Sequence, residues 1–296
     1  MFGWTLDEER SFAVLDAYVE AGGNFIDTAD VYGRRGPDGV GSSERIIGRW
    51  IAARGNRDYL VIATKVGMSP DLPGLSRDAI RKGIEGSLER LGIDRIDLYY
   101  AHQDDEGTSL KKTLAAFGEL IEEGTIRYAG ASNYSAERLR KALELSARDE
   151  KLATYVALQP HYNLMERDGY EAELADICAQ GGLACVPYYG LARGFLTGKY
   201  RRDGPQVNSP RSVGVHASYF NDRGFAVLDA LDAVAVAHRA PVGAVALAWL
   251  AAQPTVGAPI ASATSPAQLK DLLASTKLSL KPVELKRLSS ASAASV

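Results

Sequence analysis

The sequence predicts an α/β fold, a (β/α)8 barrel, and three observations carry that prediction. Short apolar runs rich in Val, Ile, Tyr and Ala alternate with amphipathic stretches along nearly the whole chain. The alternation recurs at intervals of roughly 30 to 40 residues, the size of a βαβ unit. No Gly-x-Gly-x-x-Gly turn follows any of the runs. An open doubly wound sheet fits the same alternation but would hold a dinucleotide through such a turn, so the closed barrel is preferred.

The runs are NFID (24–27), YLVIATK (59–65), IDLYYAH (96–102), IRYAGAS (126–132), YVALQP (155–160), LACVPY (183–188) and APIAS (258–262). They read as strands buried on both faces. Between them, SRDAIRKGIEGSLERL is a helix that Ser76 can cap, with Ile80, Ile84, Leu88 and Leu91 on one face. Thr5 and Glu8 form a capping box ahead of Phe12, Leu15 and Val19. Pro241 and Pro266 stand where a first helical turn tolerates them. The stretch 199–224, rich in Gly, Pro, Ser and Arg, reads as a long loop at the active site rather than a domain boundary. One domain over residues 1–296 is expected.

Seven strands are one short of a closed barrel, and a helix already starts near residue 6. The expectation is a first strand upstream of Met1, or a sheet with one open edge.

Composition narrows the function. The 296 residues are 46% hydrophobic and 24% charged, with net charge −3, and no broad basic field marks a nucleic-acid partner. Lys199, Arg201 and Arg202 gather in one loop, which by itself reads as solvated surface. Cys178 and Cys185 lie in apolar segments and read as reduced core residues. The four histidines show no metal-binding spacing, so no metal is expected. No apolar run is long enough to span a bilayer, and the amino terminus carries acids where a signal peptide needs bases; a cytoplasmic protein away from membranes is expected.

In barrel enzymes the chemistry gathers where strands finish. Here the exits carry Asp27 with Tyr32 close behind, Lys65, His102, Ser132 with Asn133, Gln159, Tyr188 and Ser262. Taken singly, Asp27 could cap a helix, Tyr32 could be a loop aromatic and His102 a core histidine. Lys65 resists such a reading, because a charge at the end of an apolar strand is costly without a partner. Together the four suggest a proton-transfer device. A phenol titrates near 10 when free, a nearby ammonium favours its ionised form, and a carboxylate keeps that ammonium charged and aimed. A neutral His102 could hydrogen-bond a substrate carbonyl. Asp30, the second acid here, is assigned a loop-structuring contact of the Asx type.

DTADVYG (27–33), IATK (62–65), YYAH (99–102), GASN (130–133), LARGFLTGKY (191–200) and PIASATSPAQL (259–269), in this order and spacing, resemble the aldo-keto reductase superfamily from about residue 3 to about residue 290. The resemblance implies NADPH-dependent reduction of aldehydes and ketones on a (β/α)8 barrel. It makes Tyr32 the general acid, Lys65 and Asp27 its tuning pair, and His102 the residue orienting the carbonyl. It assigns Ser132, Asn133 and Gln159 to the nicotinamide carboxamide, Tyr188 to stacking on the ring, and Leu191, Arg193, Gly194 and Lys199 to the pyrophosphate. Ser262, Thr264 and Gln268 fall where the family holds the adenosine 2′-phosphate and adenine. Many members use a base there, whereas Ala261 and Ala263 flank Ser262 here. NADPH is therefore favoured, with NADH possible.

The family also begins with a hairpin and first barrel strand, of which only a tail like Phe2-Gly3-Trp4 remains. The expected barrel thus lacks both, which puts its stability and one pocket wall in question. Two alternatives stand beside a reductase acting on a small-molecule carbonyl substrate: a Schiff-base barrel aldolase using Lys65, and a nucleotide-binding regulatory relative of channel proteins without catalysis.

Overall fold

A computed structural model describes residues 1–293. The chain forms two compact units. One comprises Met1–Gln159, Gln180–Leu183 and Ser262–Pro266; the other comprises Pro160–Ala179, Ala184–Ala261 and the described residues from Ala267 on.

In the first unit the chain runs α1 (Glu8–Glu20), β1 (Phe25–Asp27), α2 (Ser42–Arg54), β2 (Val61–Val66), a small hairpin of β3 (Met68–Ser69) and β4 (Leu72–Pro73), α3 (Arg77–Leu91), β5 (Ile96–Ala101), α4 (Leu110–Glu122), β6 (Ile126–Ser132), α5 (Ala136–Ser146) and β7 (Tyr155–Gln159). Strands β1, β2, β5, β6 and β7 pair in that order, all parallel, each joined to the next by a helix. The register sets Asp27 against Ala63, Lys65 against Tyr100 and Ser132 against Gln159. Five strand exits therefore share one edge of the sheet. All six residues of β5 are buried, as expected of a strand covered on both faces, Asp97 among them.

The helices cover this sheet through large side chains. Trp50 of α2 is fully buried and its Nε1 donates to Asp16 of α1 (2.8 Å). The Phe117 ring of α4 lies 5.5 Å from Tyr99 and 6.3 Å from Tyr155. Ser76 Oγ accepts from the Ala79 amide (3.2 Å), and Gly92, at φ 62°, ends α3 in the left-handed region. Gly48 lets α2 approach α3 closely, since a Cβ there would fall 2.5 Å from the Arg90 carbonyl oxygen. At the opposite end of the sheet, buried Asp97 accepts from the Ile62 amide (2.9 Å) and from Arg57 (2.8 Å).

The second unit holds α6 (Asp168–Glu171), α7 (Leu174–Gly181), β8 (Ala184–Cys185), α8 (Ser212–Tyr219), α9 (Asp222–His238), α10 (Val242–Ala251), α11 (Pro266–Leu273) and α12 (Pro282–Ala291). Parallel bridges join His161 to Tyr188 and Cys185 to Val256. Trp249 of α10 is fully buried beside Tyr162 and donates to Ser289 Oγ (3.0 Å). Cys178 and Cys185 are buried and free.

Several expectations need correction. The cap of α1 is Asp7, which accepts from the Arg10 amide (2.9 Å), and Thr5 turns its hydroxyl to the Met1 sulfur instead. The run 183–188 forms strand only at Ala184–Cys185, and 258–262 forms none. Pro187 and Pro259 supply no amide to a ladder; what remains includes the Gly257 amide donating to the Cys185 carbonyl (2.9 Å) and the Ile260 amide donating to the Pro187 carbonyl (3.0 Å). The stretch 199–224 contains α8 and the start of α9. Within it, Arg201 pairs with Asp232 (2.8 Å) and Arg202 with Asp222 (2.7 Å). Pro241 is the N-cap residue of α10 rather than part of its first turn.

Because Trp50 is fully buried, Trp50→Ala is expected to cost about 3–5 kcal/mol, measured as a lower urea midpoint. Val236→Ala, on an exposed face of α9, is expected to stay within about 0.5 kcal/mol.

Candidate active site

The exit of β2 places Lys65 with its side chain wholly removed from solvent. An ammonium so buried must spend its three N–H donors on acceptors, and three are present. Nζ donates to Asp27 Oδ2 (2.6 Å), to the Thr28 carbonyl (2.7 Å) and to Tyr32 Oη (3.3 Å). It also lies 4.7 Å from the Tyr32 ring centre. Burial works against the charge, but Asp27 and then Tyr32 outweigh it and hold the Lys65 pKa above its ordinary value.

The loop between Asp27 and Tyr32 is laid onto β2 by backbone bonds. The Thr28 amide donates to the Ala63 carbonyl (2.9 Å), the Asp30 amide to the Lys65 carbonyl (3.3 Å), and the Tyr32 amide to the Ala29 carbonyl (3.1 Å). Lys65 is thus gripped by this loop at both its carbonyl and its ammonium.

His102 follows β5, its amide bonded to the Val66 carbonyl (2.9 Å). Its ring meets that of Tyr32 edge-on at 5.8 Å. Burial, with help from the Lys65 charge, lowers its pKa to about 3, and its buried Nδ1 has no partner in the protein. The imidazole is neutral at physiological pH.

A second chain of bonds starts at the other oxygen of the same carboxylate. Gln159 Nε2 donates to Asp27 Oδ1 (2.9 Å), Ser132 Oγ to the Gln159 carbonyl (2.8 Å), and Asn133 Nδ2 to Ser132 Oγ (3.0 Å) and the His102 carbonyl (2.8 Å). Asn133 adopts φ 56°, a left-handed conformation that Asn tolerates. Seven residues singled out in the sequence therefore form one connected set in the first unit: Asp27, Tyr32, Lys65, His102, Ser132, Asn133 and Gln159. Ser262 and Thr264 also belong to this unit, Ser262 exposed and Thr264 half-buried.

In the second unit Tyr188 stacks on His161 (5.2 Å, 12° between planes). Leu191 is buried at the head of a turn in which Ala192, Arg193 and Gly194 all have positive φ (47°, 57° and 97°). Arg193 Nε is buried without a partner, and its guanidinium lies 5.4 Å from the Tyr189 ring. Lys199 is exposed and sits over the Tyr200 ring (5.4 Å); Gln268 lies exposed on α11.

Three participants carried no signal in the sequence. The Thr28 carbonyl is backbone, which any residue supplies. His161 stands within an apolar segment like any core histidine. Glu44 is fully buried, accepting from Thr64 Oγ1 (2.6 Å) and Arg90 Nε (2.6 Å), yet lies in a stretch that reads as surface helix.

Asp27, Lys65, Tyr32 and His102 thus gather at the exits of adjacent parallel strands. A model of the aldo/keto reductase family matches residues 1–293. The chain belongs to that family. A probable voltage-gated potassium channel subunit beta of Oryza sativa subsp. japonica is 32% identical over 276 residues, 90% of this chain and 82% of that protein. Aldo-keto reductase str7 of Strobilurus tenacellus is 34% identical over 253 residues, 83% of this chain and 70% of that one. Aldo-keto reductase yakc [NADP(+)] of Schizosaccharomyces pombe is 32% identical over 289 residues, 95% of this chain and 82% of that one. The chain is accordingly an oxidoreductase with the α/β barrel fold of aldo/keto reductases, a family that uses a nicotinamide cofactor on small carbonyl compounds. Among the described residues no single helix is long and apolar enough to cross a membrane.

The low pKa of His102 has a direct consequence. Its ring resonances are expected to stay constant from pH 5 to pH 8 in a histidine NMR titration; a midpoint inside that range would contradict the neutral assignment.

Proposed function

We propose that the chain reduces aldehydes and ketones with NADPH, with Tyr32 as the general acid. The observation that carries this reading is the Lys65 ammonium held 2.6 Å from Asp27 and 3.3 Å from Tyr32 Oη, out of contact with water.

Each step assigned to the protein follows from that geometry. A nicotinamide held by these residues would supply the hydride for the carbonyl carbon. Tyr32 Oη gives its proton to the carbonyl oxygen, and the adjacent ammonium stabilises the phenolate left behind. Asp27 and the Thr28 carbonyl keep Lys65 charged and aimed. His102, being neutral, can donate a ring N–H to the same oxygen and hold charge as it develops there.

The residues present suit the cofactor. Within the first unit, the exposed Asn133 and the Ser132–Gln159 pair beneath it would hold the nicotinamide carboxamide. Within the second, Tyr188 offers an aromatic face. The turn after Leu191, left-handed at Ala192, Arg193 and Gly194 and with an unpartnered guanidinium nitrogen, and the nearby Lys199 suit a pyrophosphate. Within the first unit Ser262 and Thr264 would meet the 2′-phosphate, and within the second Gln268 would meet the adenine. Hydroxyls without a guanidinium favour NADPH over NADH less strongly than usual, and the NADP(+) in the name of the S. pombe relative supports the same preference.

The name of the rice relative favours a second reading, a nucleotide-binding channel subunit. Turnover separates the two, since that reading requires binding without reduction. A Schiff-base role for Lys65 is disfavoured on chemical grounds: attack on a carbonyl needs a neutral amine, whereas Asp27 and Tyr32 hold Lys65 as an ammonium.

Tyr32→Phe is expected to lower kcat for 4-nitrobenzaldehyde by at least ~10²-fold while NADPH fluorescence titration gives an unchanged affinity. A variant that keeps most of its kcat would overturn the role of Tyr32. Binding of NADPH by the wild-type chain without turnover of any aldehyde or ketone would favour the channel-subunit reading.

A further inference from the structure

Asp30 was expected to brace its loop through an Asx-type contact, and the structure shows otherwise. Its side chain is buried, with 4% of the residue exposed, and neither carboxyl oxygen meets a hydrogen-bond partner of good geometry. The adjoining Val31 amide offers the carboxyl only partial relief. Asp30 is nevertheless tied to the proton-transfer site through its backbone, since its amide donates to the carbonyl of Lys65.

The groups around it come from four elements. Glu44 of α2 is fully buried and raises the cost of a second negative charge. Arg90 of α3 and Lys65 of β2 act in the opposite direction. Tyr99 of β5 turns in a fully buried hydroxyl that has no partner and senses both acids. A count of charges decides the outcome. The Arg90 guanidinium is bonded to Glu44 at 2.6 Å, and the Lys65 ammonium to Asp27 at 2.6 Å. Both cations already have their carboxylate, so an ionised Asp30 would be a third anion against two cations in a dry interior. Burial is the largest cause of its raised pKa, with Glu44 next, and the carboxyl titrates at about 7.

We propose that Asp30 is a positioning residue of the proton-transfer site, working as a neutral carboxylic acid whose deprotonation slows reduction. This rests on the assignment of Tyr32 as the acid. Reduction turns Tyr32 from phenol towards phenolate beside Lys65. An uncompensated carboxylate that interacts with Lys65 takes part of the ammonium's field and disfavours that charge. The neutral acid leaves the field of Lys65 to Tyr32 alone. Asp30 touches neither substrate nor cofactor and acts only through Lys65 and the loop that carries Tyr32.

The test compares kcat at pH 6 and pH 8 within each protein, using NADPH and 4-nitrobenzaldehyde. Wild-type kcat is expected to fall on the order of threefold to tenfold between them, whereas Asp30→Asn, a permanently neutral isostere, shows no such fall. Superimposable profiles for the two proteins would overturn the proposal. Infrared difference spectra of the wild-type chain across the same pH range provide a readout independent of turnover and of whether the variant folds. A protonated-carboxyl C=O band is expected to disappear as pH rises, and its absence at pH 6 would overturn the proposal. Stability gives the same sign. The native state holds this proton above the ordinary carboxyl range and the unfolded chain does not, so Asp30 weakens the fold progressively from about pH 4 to about pH 7. The Tm advantage of Asp30→Asn is therefore expected to grow over that window and level off above it; a constant advantage would count against a neutral native acid. Failure of the reductase reading looks different, as absent turnover in both proteins with the infrared band in place, and removes the proposed role along with it.

Discussion

The buried Lys65–Asp27 pair is the constraint on which the rest of the site depends. An ammonium without solvent survives only where acceptors are supplied at the right distance. Two of its three acceptors come from the end of β1 and the residue after it. Both are positioned by the β1–β2 register, which sets Asp27 opposite Ala63. A slip of one residue would turn the carboxylate to the other face of the sheet and leave the charge uncompensated. The same carboxylate accepts from Gln159 at the end of β7, so strands that do not pair with β1 are held to it through one side chain.

Burial alone does not decide ionisation in this unit; the supply of partners does. Lys65, His102 and Asp30 are all buried, and desolvation acts on each against its charged form. Lys65 remains charged because Asp27 and Tyr32 together outweigh that cost. His102 faces Lys65 and has no anion to draw on, so its charge is lost. The resulting division of labour is chemically useful: one fixed positive charge beside the phenol, and one neutral ring able to donate without competing for it.

What could be read in the sequence followed from the same physics. Strands β2, β5 and β6 were visible because their runs are mostly apolar, so a lysine or histidine at the end of such a run stands out. Where proline interrupts, at Pro187 and Pro259, the apolar run persisted in letters while the ladder did not form, and 183–188 and 258–262 were overread. The start of α1 was misplaced because Thr5 and Glu8 fit a capping box, but Asp7, one residue from the helix, reaches its free amides better. Glu44 and Arg90 were illegible for another reason. They lie 46 residues apart on two helices whose charges look like ordinary surface, and only the close approach at Gly48 makes their pairing an interior one.

Asp30 shows how a local rule fails when the surroundings are unknown. An Asp in a loop after a strand is ordinarily solvated and caps nearby amides. Here three amides of the loop go to backbone carbonyls, those of Thr28 and Asp30 on β2 and that of Tyr32 within the loop itself, and the Val31 amide gives the carboxyl only partial relief. Neither carboxyl oxygen has a hydrogen-bond partner of good geometry, and the buried Glu44 adds to the cost of its charge. Part of that isolation comes from the contacts that fix the loop beside Lys65: the Thr28 and Asp30 amides that lay it on β2 are not free to cap the neighbouring acid.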